Sequence, residues 1–482
     1  MKLNTKENII SQYGTFLCMM VIVLMPIWLS FMMIFFHRNG YAYDYNYVFS
    51  LVIFITLIPM PFIFGEKFIF HFVKPKNSNK TLWFALLFLA LFLVWATISV
   101  FFAVNKSLAL FDFSGRGEGL LMYFAYACIL LGAMGIKSEK LRDILLKSTL
   151  GVGLYFCLFT VLDHYAFRWG ETFVSWPFTA PWSNPNHSGY FLTIIAGISS
   201  ITYLFHPEKF TRIYAIVVFF LISVVTCLND AFGSQLSIFI LMIFVLIVTL
   251  VRDKKLWHKL LILFGIYICT VLIGHLLEKY TLGHKETILG NFVHFFQDIF
   301  KIASDAESEE AQLAGTNRWG LWMECFRNMR DKPLFGIGIN CQKVVNPTLE
   351  ASRPHNELLQ FASTMGIPAG LFYLTALILL LITAFKQLRH ISPITISFIT
   401  AAVGYFINSL FGVSLPYTFC FYMIFLGLSI SGLKLKKDTT SIELTDNLIK
   451  KDADLQKYIQ EHDETDAKMI ETTKNTQIDS EL

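Results

Sequence analysis

No charged residue falls between Lys80 and Lys106, between Arg212 and Asp230, or between Asp230 and Arg252. A helix needs about 20 mainly apolar residues to cross the hydrocarbon core, because each residue rises about 1.5 Å. Runs of that length have few homes other than a bilayer. Composition agrees, with 55% hydrophobic residues and 15% charged, where a soluble domain carries about 25% charged. Spans are expected near 15–36, 47–65, 81–103, 118–136, 148–166, 188–205, 212–229, 234–251, 260–277, 357–384, 391–411 and 416–434. An all-α integral membrane protein of about twelve transmembrane helices follows, since helices satisfy their own backbone polar groups in lipid. Residues 1–12 are polar and the next apolar stretch is long enough to span, so a cleaved signal peptide is not expected.

The charges between the spans alternate. Lys67, Lys74, Lys76 and Lys80 share one connection, and Lys137, Lys140, Arg142 and Lys147 the next but one. Lys209 with Arg212, Arg252 with Lys254, Lys255 and Lys259, Lys386 with Arg389, and Lys434 with Lys436 and Lys437 continue the pattern. All of them fall on one side, and the positive-inside rule makes that side cytoplasmic, with both termini there. The membrane domain is expected over 1–437 and a polar cytoplasmic tail over 438–482. Outward lie 104–117, 167–187, 229–233 and the long loop 278–356. A loop of that length is usually functional or disordered. It holds a helical stripe of Ile288, Leu289, Phe292, Val293, Phe296, Ile299 and Phe300, suited to packing or to the membrane interface. An acidic, mobile stretch over 304–312 is expected next, and then a helix over 316–330 that stops before Pro333. Trp319, Trp322, Met323 and Phe326 form its apolar face.

Polar residues near membrane depth are costly and call for an explanation. The outward side gathers Arg116 and Glu118, then Asn184, Asn186 and His187, then Asn229 and Asp230. Arg318 and the cluster Arg353, His355, Asn356 and Glu357 complete the set. Guanidinium groups bind phosphate oxygens in forked, charge-assisted hydrogen bonds, although a single Arg near a span end also snorkels to headgroups. Arg318 is expected in the first turn of its helix, where N–H groups and the dipole favour an anion such as a pyrophosphate. His355, at the mouth of a span, is the best candidate for a general base, with Asn356 or Glu357 orienting it and His187 a weaker rival. A histidine so placed also serves as a plain structural hydrogen-bonder. No outward loop offers a metal-ligand spacing, so neither metal nor cofactor is expected, nor a nucleic-acid partner. Cys325 and Cys341 share the long loop, where pairing is open to them in an oxidising compartment.

Asn317, Arg318, Trp319 and Trp322, the Lys-Pro-Leu-Phe-Gly-Ile-Gly run at 332–338, Pro-His-Asn-Glu-Leu-Leu-Gln at 354–360 and Met-Gly-Ile-Pro-Ala-Gly at 365–370 form one block. Together they resemble the O-antigen ligase and O-antigen polymerase superfamily. Arg-Gly-Glu-Gly at 116–119 and Asn-Pro-Asn-His at 184–187 resemble its upstream outward motifs. The resemblance implies a metal-independent, inverting glycosyltransferase of the multi-span GT-C type, with an undecaprenyl-diphosphate-linked oligosaccharide as donor. It implies Arg116 and Arg318 on the diphosphate, Arg353 beside them, and His355 at the acceptor hydroxyl. Membrane lipid and a chain-length regulator or flippase of the same pathway are the implied partners. Ligases of that superfamily commonly carry an arginine in the short turn that here reads Leu228 to Gln235, and this chain has none there. That departure favours polymerisation of lipid-linked repeat units over transfer to a lipid A-core. A lipid-linked glycan flippase is the reading from another class, but carriers of that kind show paired broken helices in two halves, and the unusual residues here all cluster outward.

The topology is open to a direct test. In a background without native cysteines, Glu310→Cys should be labelled from outside intact cells and Lys255→Cys should not. Labelling of both would overturn the alternation.

Overall fold

Pro26 has no N–H to return to Ile22, and the turn before it widens into a π-helix over Met20–Leu24. This turn joins α1 (Thr5–Met19) to α2 (Met25–Phe36) in one continuous rod. The computed structural model describes residues 5–36, 56, 79–112, 117–167, 178–179, 181–182, 184–229, 231–277, 288–347, 353–413 and 415–433. Among them every element is helical and there is no strand. The chain continues with α3 (Lys80–Phe101), the short α4 (Lys106–Phe111), α5 (Leu120–Met134) and α6 (Glu139–Leu162). Then come α7 (Pro185–Phe205), α8 (Lys209–Leu228), α9 (Phe232–Asp253) and α10 (Trp257–Leu277). The long loop carries α11 (Ile288–Ser304), α12 (Glu309–Gln312), α13 (Ala314–Asp331) and α14 (Gln342–Val345). The chain closes with α15 (Glu357–Thr364), α16 (Ile367–Gln387), α17 (Pro393–Ser409) and α18 (Pro416–Gly432). Among the described residues seven helical stretches are long and apolar enough to cross a membrane, and α5, α17 and α18 are shorter apolar helices. The protein is a multi-pass helical membrane protein. The expected span 47–65 lies outside the described residues except for Thr56, which is buried. The described helices all belong to one unit, residues 1–75 with 80–433; of the other, residues 76–79 with 434–482, only Asn79 is described.

α7 is the centre of the bundle, buried along nearly its whole length against α8, α9 and α17. Its small residues allow this. Without apolar driving force between helices in lipid, close backbone approach supplies the attraction. At Gly189 the approach is tightest, since a β-carbon there would sit 1.6 Å from Ser234 Oγ on α9.

At one end of the bundle the basic connections meet. Arg142 is buried and donates to Thr395 Oγ1 at 2.8 Å, to the Leu428 carbonyl at 3.0 Å and to Glu139 at 2.9 Å, which ties α6, α17 and α18. Nearby, His206 Nε2 lies 3.0 Å from Asp143, and Lys147 bridges Asp143 and Glu208 at 2.7 Å each. Arg252 closes the α16–α17 turn by donating to the Ile391 carbonyl at 2.9 Å.

Two expectations need correction. The span 357–384 is not one helix. It breaks into α15 and α16 at Gly366, whose φ of 97° takes a backbone shape that L side chains resist. The broken helix end would leave carbonyls bare at membrane depth, a cost of several kcal/mol each in hydrocarbon. The 332–338 run answers this: Ile337 N donates to the Ser363 carbonyl at 3.1 Å and Gly338 N to the Thr364 carbonyl at 2.8 Å. Phe335 locks the run in place, stacked on Trp95 of α3 and on Phe102 beyond it. The stretch 304–312 carries helical structure, α12, where the sequence suggested a mobile separator. Ser308 caps α12, and the Ala306 carbonyl accepts from Trp319 Nε1 at 2.8 Å. As for the α11 stripe, Phe292 packs on Phe232 and Phe239 of α9, while Val293, Phe296, Ile299 and Phe300 are exposed.

Replacing Gly189 by alanine should therefore force α7 and α9 apart and cost about 1–3 kcal/mol. Gly265→Ala in α10, where nothing lies within 4 Å, should be neutral or slightly stabilising. Thermal unfolding of the two purified variants in detergent checks the contrast, and equal melting temperatures would contradict it.

Candidate functional site

At the end opposite the basic connections, three chain segments are tied around one ion pair. Asn105 caps α4 by accepting from Leu108 N at 3.0 Å, and α4 ends at Asp112, whose φ of 50° turns the chain back. Asp112 then accepts from Glu118 N at 3.1 Å and from Asn340 Nδ2 at 3.0 Å. Glu118 accepts from Tyr126 at 2.8 Å and pairs with Arg353, which also donates to Asn340 Oδ1 at 2.8 Å. Glu118 is 2% and Arg353 5% exposed. At that burial a charge survives only with its partner and its remaining hydrogen bonds in place. Burial works against the Arg353 charge, but the neighbouring Glu118 carboxylate outweighs it and holds the guanidinium above its ordinary pKa. Arg353, expected on the diphosphate, is paired here with Glu118 and Asn340.

The next residues lead into α15. His355 is half-buried with φ 55°, a left-handed shape that is uncommon outside glycine. Asn356 caps α15 by accepting from Leu359 N at 3.1 Å, and its amide reaches the Leu410 carbonyl at 3.4 Å. Glu357 points inward, buried, and accepts from Tyr373 at 2.8 Å and Tyr405 at 3.3 Å.

Arg318 arrives from the long loop. Gly315, Thr316 and Asn317 all have positive φ, and right-handed helix resumes at Arg318, so its side chain leaves from the first regular turn as the sequence implies. Gly315 N donates to Asp298 Oδ2 at 2.8 Å, which fixes this kink to α11. One turn on, Trp322 Nε1 donates to the Pro354 carbonyl at 2.7 Å and joins the Arg318 helix to the residue before His355. Among the described residues the Arg318 guanidinium makes no ion pair or hydrogen bond, and burial lowers its pKa from the ordinary value. A methyl group on Gly233, at the start of α9, would lie 3.9 Å from its Nη1.

His187 is buried in the first turn of α7 and bonds through Nδ1 to the Tyr417 hydroxyl at 2.5 Å, a joint between α7 and α18. Asn184 caps the same helix by accepting from Asn186 N at 2.9 Å. Asn229 donates to Ser188 Oγ. Arg116 and Asp230 lie outside the described residues. Cys325 and Cys341 are separate, buried thiols. Among the described residues no three His, Cys, Asp or Glu side chains converge as a metal site would need. Glu118, Arg318, Arg353, His355, Asn356 and Glu357 therefore share one neighbourhood. Asp112, Asn340 and the tyrosines at 126, 190, 373 and 405 were not legible as members. The available signal was weak: a tyrosine in a span brings a hydroxyl that needs a partner.

Residues 217–374 match the family described as O-antigen ligase. The matched region runs from within α8 to within α16 and contains Arg318, the 332–338 run, Arg353 and His355, while the motifs at 116–119 and 184–187 precede it. The match supports the superfamily that the motifs resemble. No curated protein matches the chain.

The ion pair yields a quantitative expectation. Arg353→Met strands the Glu118 charge and should cost about 3–5 kcal/mol. Adding Glu118→Gln should recover most of that loss. Unfolding free energies of the single and double variants in mixed micelles test the coupling, and additive losses would contradict it.

Proposed function

Starting from the O-antigen ligase match over residues 217–374, we propose that this chain is a bacterial inner-membrane glycosyltransferase that polymerises surface-polysaccharide repeat units. The donor is an undecaprenyl-diphosphate-linked glycan, and undecaprenyl diphosphate is released. The observation that carries the reading is the Trp322–Pro354 bond, which holds Arg318, without an ion pair among the described residues, and the half-buried His355 as parts of one assembly. In the reaction the acceptor hydroxyl attacks the anomeric carbon of the donor and gives its proton to His355. The bond from that carbon to the diphosphate oxygen breaks, and a single displacement inverts the centre. Charge grows on the leaving diphosphate, where Arg318 and Arg116 stabilise it without a metal ion. Arg353, committed to Glu118, braces the site instead of gripping the substrate. Asn356 fixes the entry to α15 and Glu357 anchors it, while Asn186, His187 and Asp230 are assigned supporting roles.

Twelve spans, cytoplasmic termini and an extracytoplasmic site belong to the same proposal. Its support is that the basic connections gather at one end of the bundle and the candidate residues at the other. Transfer to a separate surface acceptor is the second reading, favoured by the description of the matched family. The absence of an arginine in the turn Leu228 to Gln235 weighs against it.

Reconstitution with lipid-linked repeat units, run in EDTA and followed by product sizing, tests the proposal. A ladder of products is expected. Transfer of single units to an added second acceptor indicates ligation, and relocation without new bonds would sink both. In the same assay Arg318→Lys keeps the charge, loses the fork and should lose most activity. His355→Ala should keep donor binding and thermal stability while turnover falls about 10²–10⁴-fold. Near-normal product from folded His355→Ala removes it from the reaction.

A further inference from the structure

α3 packs closely on α16 but touches α5 only lightly. Between α3 and α5, backed by α16 and α18, this leaves an apolar groove of about 370 Å³. Ala90 of α3 and Ala127 of α5 line it, and side chains so small leave the gap unfilled. Along α5 the groove runs from Tyr123 to Met134, about 16 Å at 1.5 Å per residue, or about half the hydrocarbon core. On α3, Trp83, Leu87 and Ala90 line it. The same helical face continues through Val94, Ile98 and Phe101, all exposed, to the end nearest the candidate site.

At that end the 332–338 run is pinned to α3. Trp95 Nε1 donates to the Leu334 carbonyl at 2.9 Å, and Val104 N donates to the Ile337 carbonyl at 3.0 Å. Phe102 and Leu334 are exposed at this rim. So are Lys106 and Lys332, two residues after Val104 and two before Leu334. An apolar strip that ends among lysines matches a lipid with an anionic head. The groove also borders the groups that hold the candidate site. Tyr126 and Tyr373 line it and donate to Glu118 and Glu357 at 2.8 Å each. Phe92, in the same wall, packs on Phe361 of α15 with centroids 5.0 Å apart. Arg318 lies elsewhere. It reaches the start of α9 near Gly233, and α9 packs on α7, α10 and α17. α17 packs in turn on α18, whose Phe419 and Met423 line the groove, so two helices stand between the groove and α9.

We propose that the groove holds the polyisoprenyl tail of a second lipid-linked substrate, the acceptor, with Lys106 and Lys332 beside its diphosphate. The inference rests on the polymerase reading above, because joining one lipid-linked repeat unit to another brings two tails to one protein. The acceptor keeps its own sugar–diphosphate bond and reacts only at a hydroxyl. Its diphosphate therefore gains no charge in the reaction. Two lysine point charges suffice there, where the departing diphosphate calls for a guanidinium fork.

The full-length protein in phosphatidylcholine nanodiscs, with p-benzoylphenylalanine in place of the groove residue Leu86, is photolysed with radiolabelled undecaprenyl diphosphate. The lipid should become attached, and adding Arg318→Lys should leave attachment unchanged, because the two tails occupy different places. Ala127→Phe and Ala90→Trp fill the groove from opposite walls. Each should cut attachment about 10-fold or more, since every methylene-sized group excluded is worth about fourfold in affinity. Val217→Trp, at an exposed position of α8, should not. Lys106→Gln and Lys332→Gln should weaken attachment about 5-fold each. In the product-sizing assay the filled variants should lose the ladder. Undiminished attachment or a wild-type ladder in both filled variants overturns the proposal. Loss of attachment on Arg318→Lys gives the groove to the donor's own tail. Equal competition by phosphatidylglycerol makes it a general lipid seam, and attachment to the chain's own residues 37–78 makes it a protein-packing seam; either overturns the acceptor site. Wild-type protein that captures the lipid here yet joins no repeat units overturns the polymerase reading, and the groove then stands as a polyisoprenoid site alone.

Discussion

Glu118 and Arg353 leave water together, and the candidate end of the bundle is assembled around that event. Neither charge is tolerable alone at 2% and 5% exposure. Their pairing forces the segment before α5 against the segment before α15, although 235 positions separate them in the chain. Asn340 then brings in the loop after α13, and Asp112 the end of α4. Three segments of chain are thereby pinned to one another. Such backbone survives near membrane depth only where protein groups satisfy it. The pair is therefore the condition under which a loop-built site can exist here at all.

A second layer of satisfaction sets the depth of that site. α15 is two turns long and stops where a spanning helix would continue. Its last carbonyls are met by Ile337 and Gly338, and Glu357 at its start is met by Tyr373 and Tyr405. The short helix is thus a plug held at both ends. His355 stands two residues before it, and α16 follows the break. Glycine at 366 makes the break possible, and the stacked Phe335 keeps the covering loop from lifting.

The long apolar helices among the described residues were legible because lipid demands uninterrupted apolar length. Arg318 in the first helical turn was readable from the periodicity of Trp319, Trp322 and Phe326 against the stop at Pro333. The break at Gly366 was not, since 357–384 is apolar enough to read as one helix and the reason for its interruption lies in a loop 30 residues upstream. Arg353 read as an open cation for a related cause. Its partner, Glu118, is far away in sequence, and no local pattern announces a long-range ion pair. Tyr190 was hidden among the aromatic residues of the spans, where a hydroxyl leaves no periodic trace.

The exposed face of α11 has a bearing on where the Arg318 helix sits. Val293, Phe296 and Phe300 are bare on one side, while Phe292 rests on α9 at the other. A helix of this kind settles in the plane where acyl chains give way to headgroups. Asp298 on α11 holds Gly315, three residues before Arg318. Under the proposed function, the guanidinium would then be levelled against the lipid surface, the same datum that sets the height of a lipid-borne phosphate. Protein and substrate then share one waterline, and a bilayer that thickens or thins carries both up or down together.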